Sequence, residues 1–147
     1  GSIDKENAYC IAKEQIDRWK EEKVVEYLGH TDDIRPFISK ADCVVLPSYR
    51  EGFPKILVEA ASCGRVIITT DVPGCRDAIE KDVTGLLVPV RNARTLAKAV
   101  SELLNDPSLC KKMGIAGRER AERLFDIKKI VVEHTDIYKQ LSRNNKV

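Results

Sequence analysis

The stretch VVLPSYREGFPKILVEAASCGRVIITTDVPG, residues 44–74, decides the fold. The apolar runs DCVVLP (42–47) and RVIITT (65–70) lack polar alternation, which is typical of strands buried on both faces of a parallel sheet. Between them, Pro54 opens a helical segment and Gly64 closes it, which is the usual placement of these two residue types in a helix. The stretch therefore predicts a strand, a helix and a second strand.

The same pattern continues on both sides. Further strands are predicted at VVEYLGH (24–30) and GLLVPV (85–90), and helices are predicted in residues 3–22, 32–41, 74–82, 92–106, 107–125 and 126–141. Apolar strands separated by helices predict a doubly wound α/β fold, a Rossmann-like parallel sheet with helices on both faces. Ligands of such sheets bind at the carboxyl ends of the strands.

Length and composition limit the class of protein. The 147 residues predict a single domain at 3–141, with Gly1-Ser2 as an expression scar and residues 142–147 as a flexible tail. A net charge of +2 does not favour nucleic acid, and neither a membrane span nor a signal peptide is apparent. The chain has five cysteines: Cys10, Cys43, Cys63, Cys75 and Cys110. Their odd number and wide spacing argue against a metal site or a disulfide scaffold and favour a reducing, cytoplasmic location. We expect no cofactor.

The loop after the strand at 42–47 carries Ser48, Arg50 and Glu51, and it leads straight into the helix that begins at Pro54. The first-turn N–H groups of a helix have no partner within it and attract anions. Pro54 lacks a donor, but Lys55 and Ile56 keep theirs, so a diphosphate would fit at this helix start. Arg50 and Lys55 would add positive charge if they point inward.

Two glutamates flank this helix start. Glu51 precedes the helix and Glu59 lies within it, and carboxylates are good acceptors for sugar hydroxyls. Two sugars bridged by phosphates, as in a nucleotide sugar, would use both glutamates and the helix start together. The alternative is that neither glutamate binds a ligand: Glu51 would then be a solvated loop residue, and Glu59 would be an ordinary polar position on a surface helix. Similarly, His30 either contacts the ligand or has no role, and Phe53 either lines the site or is a partly buried loop aromatic.

The segment ADCVVLPSYREGFPKILVEAASCGRVIITTDVPGCRDAI (41–79), with GLLVPV and LAKAVSELLND after it, resembles the carboxyl-terminal, donor-binding domain of glycosyltransferase family 4. These retaining enzymes have the GT-B fold, and similarity runs from about residue 24 to 125. Glu51 and Glu59 match the family's Glu-x7-Glu motif. The residues and the resemblance together give these candidate site residues: Gly29, His30, Ser48, Arg50, Glu51, Gly52, Phe53, Pro54, Lys55, Ile56 and Glu59.

The resemblance also implies roles. Glu51 would be the catalytic-site carboxylate on the transferred sugar, and Glu59 would bind the ribose. Backbone N–H groups around Gly52, Phe53 and Lys55 would hold the diphosphate, and main-chain groups of residues 29–32 would border the base. No metal is implied.

The implied function is transfer of a hexose or N-acetylhexosamine from a nucleotide sugar to a lipid-linked or saccharide acceptor in cell-surface polysaccharide synthesis. A UDP-sugar is the expected donor, because the segments SYREGFP and TTDVPGCRD are similar in sequence to a bacterial subgroup that uses UDP donors. The family's upstream Arg and Lys and its amino-terminal acceptor domain have no counterpart here. We therefore expect a domain that is incomplete at its start and inactive alone.

Two further questions stay open at this point. A non-catalytic Rossmann-like nucleotide-binding or regulatory domain would carry a G-x-G-x-x-G turn after its first strand, whereas Gly29 stands alone. The basic segment CKKMGIAGRERAERLF (110–125) is either an ordinary solvated helix face or a membrane-surface contact near a lipid-linked acceptor.

Overall fold

The computed structural model describes residues 10–144. The predicted expression scar, the start of the first predicted helix and residues 145–147 of the predicted tail lie outside that range. The chain divides into two compact units, of which the first ends at Ile34 and the second begins at Arg35. Whether both belong to one domain, as the sequence predicts, stays a prediction.

The first unit contains helix α1, Lys13–Glu21, within the predicted helical segment. The strand predicted at residues 24–30 is wrong, because this segment forms no strand. The N–H groups of Val24 and Val25 both donate to the carbonyl of Trp19, at 2.9 and 3.4 Å. They therefore pair with a backbone carbonyl in the last turns of α1. A strand needs a neighbouring strand, and this run is not among the strands of the sheet that residues 10–144 form.

The second unit is built on a parallel sheet of three strands in the order β1-β2-β3. These are β1 Cys43–Leu46, β2 Val66–Thr70 and β3 Gly85–Val88, each inside a predicted strand. In the register, Cys43 lies beside Val66 and Ile67 lies beside Gly85. All three carboxyl ends therefore reach the same edge of the sheet.

The described part of the second unit contains six helices: α2 Arg35–Ile38, α3 Lys55–Ser62, α4 Pro73–Ala78, α5 Ala93–Asn105, α6 Pro107–Leu124 and α7 Ile127–Asn144. The Asn92 side chain caps α5 by accepting from the N–H of Thr95 at 3.0 Å, and Asp106 caps α6 in the same way. α7 continues three residues into the segment predicted as a tail. No helix within residues 10–144 has the length and apolar character needed to cross a bilayer.

The central strand β2 is buried along its whole length. Val66 and Ile68 form a core cluster with Leu103 of α5 and Met113 of α6. Ile67 points to the opposite face, where α3 and α4 contact β2, and it is fully buried. Helices thus cover the sheet on both sides, and the predicted Rossmann-like α/β fold is confirmed.

Packing explains one of the two glycines inside α6, Gly114, despite the low helix propensity of glycine. A β-carbon at Gly114 would lie 2.1 Å from the backbone oxygen of Gly64, in the turn between α3 and β2. Only a glycine allows this approach. At Gly117 a β-carbon would make ordinary contacts at 3.8 Å with Ala61 and Thr84.

Candidate functional site

Two threonines at the end of β2 hold the chain as it leaves β1. The Thr69 hydroxyl donates to the carbonyl oxygen of Leu46 at 2.8 Å, and the Thr70 hydroxyl donates to that of Ser48. Both threonines are buried, at 0% and 2% exposure, so these bonds are shielded from water. The first part of the loop after β1 is therefore fixed relative to the sheet.

The next part of the loop orients a carboxylate. The Ser48 hydroxyl donates to Oε1 of Glu51 at 2.5 Å, and both residues are half-buried. Within residues 10–144 the second oxygen of this carboxylate has no protein partner, so it is available to a ligand. The structure thus brings two of the predicted site residues, Ser48 and Glu51, into direct contact. Their role in binding stays a prediction.

Helix α3 begins directly after this loop and has no side-chain cap at its start. Pro54 is the residue before the helix, with φ −76° and ψ 109°, and it is buried; its carbonyl accepts from the N–H of Leu57 at 3.1 Å. Among the described residues, none accepts from the N–H groups of Lys55 and Ile56. These two N–H groups are therefore available to an anion at the start of α3.

Charged candidates lie around this helix start. Arg50 and Lys55 are exposed and form no ion pair with any described side chain. Glu59 is exposed, one turn after Lys55, which places it ~6 Å further along the helix axis. Asp71, at the end of β2, instead pairs with Arg76 of α4 at 2.7 Å.

Phe53 contacts a residue that the sequence did not single out. Its ring meets the ring of Phe125 edge to face, with centroids 5.4 Å apart, and the Arg120 guanidinium lies 5.9 Å from the Phe125 centroid. Arg120 also donates to the carbonyl of Asp77 at 3.2 Å. The Phe125 position carries no local signal in the sequence, because the contact depends on the path of α6.

Part of the basic segment at 110–125 has a structural use. Arg118 donates to Glu122 at 2.5 Å and to the carbonyl of Ser62, so it ties α6 to the end of α3. Together with Arg120, this accounts for two of its cations. Contact with a membrane stays a prediction for the rest.

Gly29 and His30 belong to the first unit. Gly29 has φ +71°, and the His30 imidazole lies 3.4 Å from the carboxylate of Asp32. A role of these residues at the nucleobase stays a prediction.

Within residues 10–144 no group of three or more His, Cys, Asp or Glu side chains is arranged to hold a metal ion. All five cysteines are free thiols.

Comparison with known proteins gives the family. A sequence model described as "Glycosyl transferases group 1" matches residues 4–120. The chain therefore belongs to this family of glycosyltransferases.

Two curated relatives extend this result. The chain is 33% identical over 140 residues to the N,N'-diacetylbacillosaminyl-diphospho-undecaprenol alpha-1,3-N-acetylgalactosaminyltransferase of Campylobacter jejuni, with 95% of this chain and 36% of the relative covered. It is 30% identical over 138 residues to the N-acetyl-alpha-D-glucosaminyl L-malate synthase of Bacillus anthracis, with 94% and 36% covered. The chain thus spans about a third of the length of these relatives.

Solved structures agree with the fold. The sucrose-phosphate synthase of Thermosynechococcus elongatus superposes with a TM-score of 0.88 at 30% identity, covering 99% of this chain and 38% of that one. The Anabaena protein HepE, solved with UDP and with UDP-glucose, superposes with a TM-score of 0.76 at 26% identity, covering 88% and 35%. The GT-B class expected from the resemblance is thereby confirmed.

Proposed function

We propose that this chain is the donor-binding domain of a retaining glycosyltransferase that takes a hexose or N-acetylhexosamine from a UDP-sugar. The observation that carries the proposal is the carboxylate of Glu51, held by Ser48 beside the uncapped start of α3. The complexes of HepE with UDP and UDP-glucose support a uridine donor, since HepE shares this fold.

The diphosphate binds the N–H groups of Lys55 and Ile56, where the helix dipole adds about half a positive charge. In this proposal Glu51 lies at the sugar end of that diphosphate, and its carboxylate accepts hydrogen bonds from sugar hydroxyls. Glu59, further along the same helix, reaches the ribose at the other end. Each group then contacts the part of the donor whose chemistry it matches.

Charge develops on the diphosphate as the bond to the sugar breaks, and fixed donors lower the energy of that transition state. The α3 N–H groups, with Lys55 and Arg50 nearby, supply part of this stabilisation without a metal ion. Further cations and an acceptor-binding domain in the parent protein complete the transfer, so binding rather than turnover is the activity proposed for this chain alone.

The acceptor is a lipid-linked or saccharide molecule of cell-surface polysaccharide synthesis. The C. jejuni relative, whose name specifies a diphospho-undecaprenol acceptor, supports this choice. In this proposal the parent works at the cytoplasmic face of the membrane.

The test is a protein-observed NMR titration with UDP, UDP-glucose, UDP-N-acetylglucosamine and GDP-mannose. We expect amide shifts at residues 51–59 with the uridine ligands and much weaker ones with GDP-mannose. Glu59→Gln should weaken UDP, whereas Glu51→Gln should weaken only the UDP-sugars. The matched control is Glu102→Gln, an exposed glutamate on α5. Shifts confined to residues outside 51–59 would overturn the proposal.

A further inference from the structure

A cavity of about 330 Å³ lies at the carboxyl ends of the strands, on the side of α5. Pro47, Val88, Pro89 and Leu96 provide apolar walls, and Tyr49 and Arg91 stand at its edge. Thr70, which also lines this cavity, and Tyr49 connect it to the loop that carries Glu51, whereas the other lining residues take no part in the group around Glu51 and α3. The cavity therefore needs its own explanation.

Arg91 is the positive charge of this cavity. Its guanidinium carbon lies 5.5 Å from the centroid of the Tyr49 ring. Within residues 10–144, no carboxylate forms an ion pair with Arg91. Stacking on an aromatic ring occupies the face of the guanidinium and leaves its N–H edge free, already oriented for an anion with two oxygens.

The backbone at Arg91 is a further indication. Its φ is +56°, a conformation that costs little for glycine but disfavours residues with a β-carbon. Strained positions of this kind cluster at ligand sites. An arginine at a glycine-like position is consistent with a use for its side chain.

We propose that this cavity binds the phosphate group of a small phosphate monoester, with the phosphate on Arg91 and the organic part on the apolar walls. A phosphate suits the guanidinium because two of its oxygens accept the two parallel N–H groups. The apolar walls favour an ester over the free ion, since burial of each methylene is favourable. The binding proposal is independent of the donor site. Only its functional meaning rests on the proposed function: Tyr49 lies two residues before Glu51, so a bound phosphate ester would be a second substrate beside the donor loop.

The test is an NMR titration of the full chain with hexyl phosphate, inorganic phosphate and hexanol as probes. We expect hexyl phosphate to shift the amides of Tyr49, Arg91 and Leu96, and to bind about fivefold or more tighter than inorganic phosphate, because its alkyl chain is partly buried. Higher salt should weaken binding. UDP binding at residues 51–59, measured on the same sample, reports on the donor proposal separately.

The deciding variant is Arg91→Gly, which removes the cation and relieves the backbone, so it should fold. We expect it to weaken hexyl phosphate by about tenfold or more, and leave UDP unchanged. The matched control is Lys23→Gly, since Lys23 is also an exposed cation at positive φ, 55°. Unchanged affinity in Arg91→Gly, equal loss in the control, equal shifts with hexanol, or shifts only at residues 55–59 would each overturn the proposal.

Discussion

Gly74, in the first turn of α4, packs against the backbone of Gly52, so closely that a β-carbon on Gly74 would lie 2.1 Å from the Gly52 oxygen. The same β-carbon would lie 2.7 Å from the carbonyl oxygen of Glu51. Because these are backbone atoms, no side-chain rotation can relieve the contact. Helix α4 thus supports the loop that carries the proposed sugar-binding carboxylate.

We predict that Gly74→Ala displaces this loop and weakens UDP-sugar binding by about tenfold, while it lowers the free energy of unfolding by about 1–3 kcal/mol. Affinity is measured by NMR or calorimetry on the folded fraction, and stability by urea denaturation. Gly114→Ala is the matched control, since its β-carbon would also lie 2.1 Å from a backbone oxygen, that of Gly64. It should destabilise without changing affinity. Equal affinities of Gly74→Ala and wild type would contradict the supporting role.

The hydrogen bond from Ser48 to Glu51 leads to a second prediction. Without the Ser48 hydroxyl, the Glu51 carboxylate loses the hydrogen bond that fixes its orientation, and a hydrogen bond of this kind contributes about 1 kcal/mol. Ser48→Ala should therefore weaken UDP-glucose about fivefold but leave UDP unchanged, because Glu51 is assigned to the sugar. Titration calorimetry measures both affinities, with Ser101→Ala on α5 as control. Parallel losses for both ligands would show that Ser48 acts on the whole loop and not through Glu51.

The contact between Phe53 and Phe125 provides a third test. We predict a coupling free energy of about 0.5–1.5 kcal/mol in a double-mutant cycle of Phe53→Leu and Phe125→Leu, measured by urea denaturation. The value should fall near the lower end, because Phe53 is 47% exposed. A control cycle with Phe37→Leu in place of Phe53→Leu should be additive. Additivity of the first cycle would mean that the edge-to-face contact contributes nothing to stability.

The sequence predicted the features that depend on local pattern. Strands β1, β2 and β3 were visible because each is an apolar run bounded by turn residues, and α3 because Pro54 and Gly64 mark its ends. The run at 24–30 has the same appearance but forms no strand. Whether an apolar run becomes a strand depends on a pairing partner, which its own residues do not specify.

In the candidate site, too, the local features could be predicted from the sequence, and the contacts between distant segments could not. Ser48, Glu51 and the α3 start lie within one short stretch, so their proximity could be anticipated. The contacts of Gly74 with Gly52 and of Phe53 with Phe125 join segments far apart in sequence, and they depend on how α4 and α6 pack on the sheet. The positive φ of Arg91 also has no sequence signal, because arginine does not prefer that conformation.

Two cysteines near the amino end of the sheet make stability depend on pH. Burial raises the pKa of the Cys43 thiol above its ordinary 9.0, and Cys110 and Asp42 raise it further. Burial also raises the pKa of Cys110, with Asp42 and Asp106 adding to the effect. Both thiols therefore hold their protons more tightly in the folded chain than in the unfolded one.

A raised pKa in the folded state favours folding only while the thiol is protonated. This contribution is fully present below about pH 9 and is lost as the pH rises through the folded-state pKa values. We predict that above about pH 9 the free energy of unfolding falls with pH more steeply in wild type than in the double variant Cys43→Val, Cys110→Ala. Urea denaturation under reducing conditions at several pH values measures the slopes. The single variants Cys43→Val and Cys110→Ala should each account for part of the difference. Identical slopes in wild type and the double variant would mean that other groups, such as tyrosines and lysines, account for all of the alkaline loss.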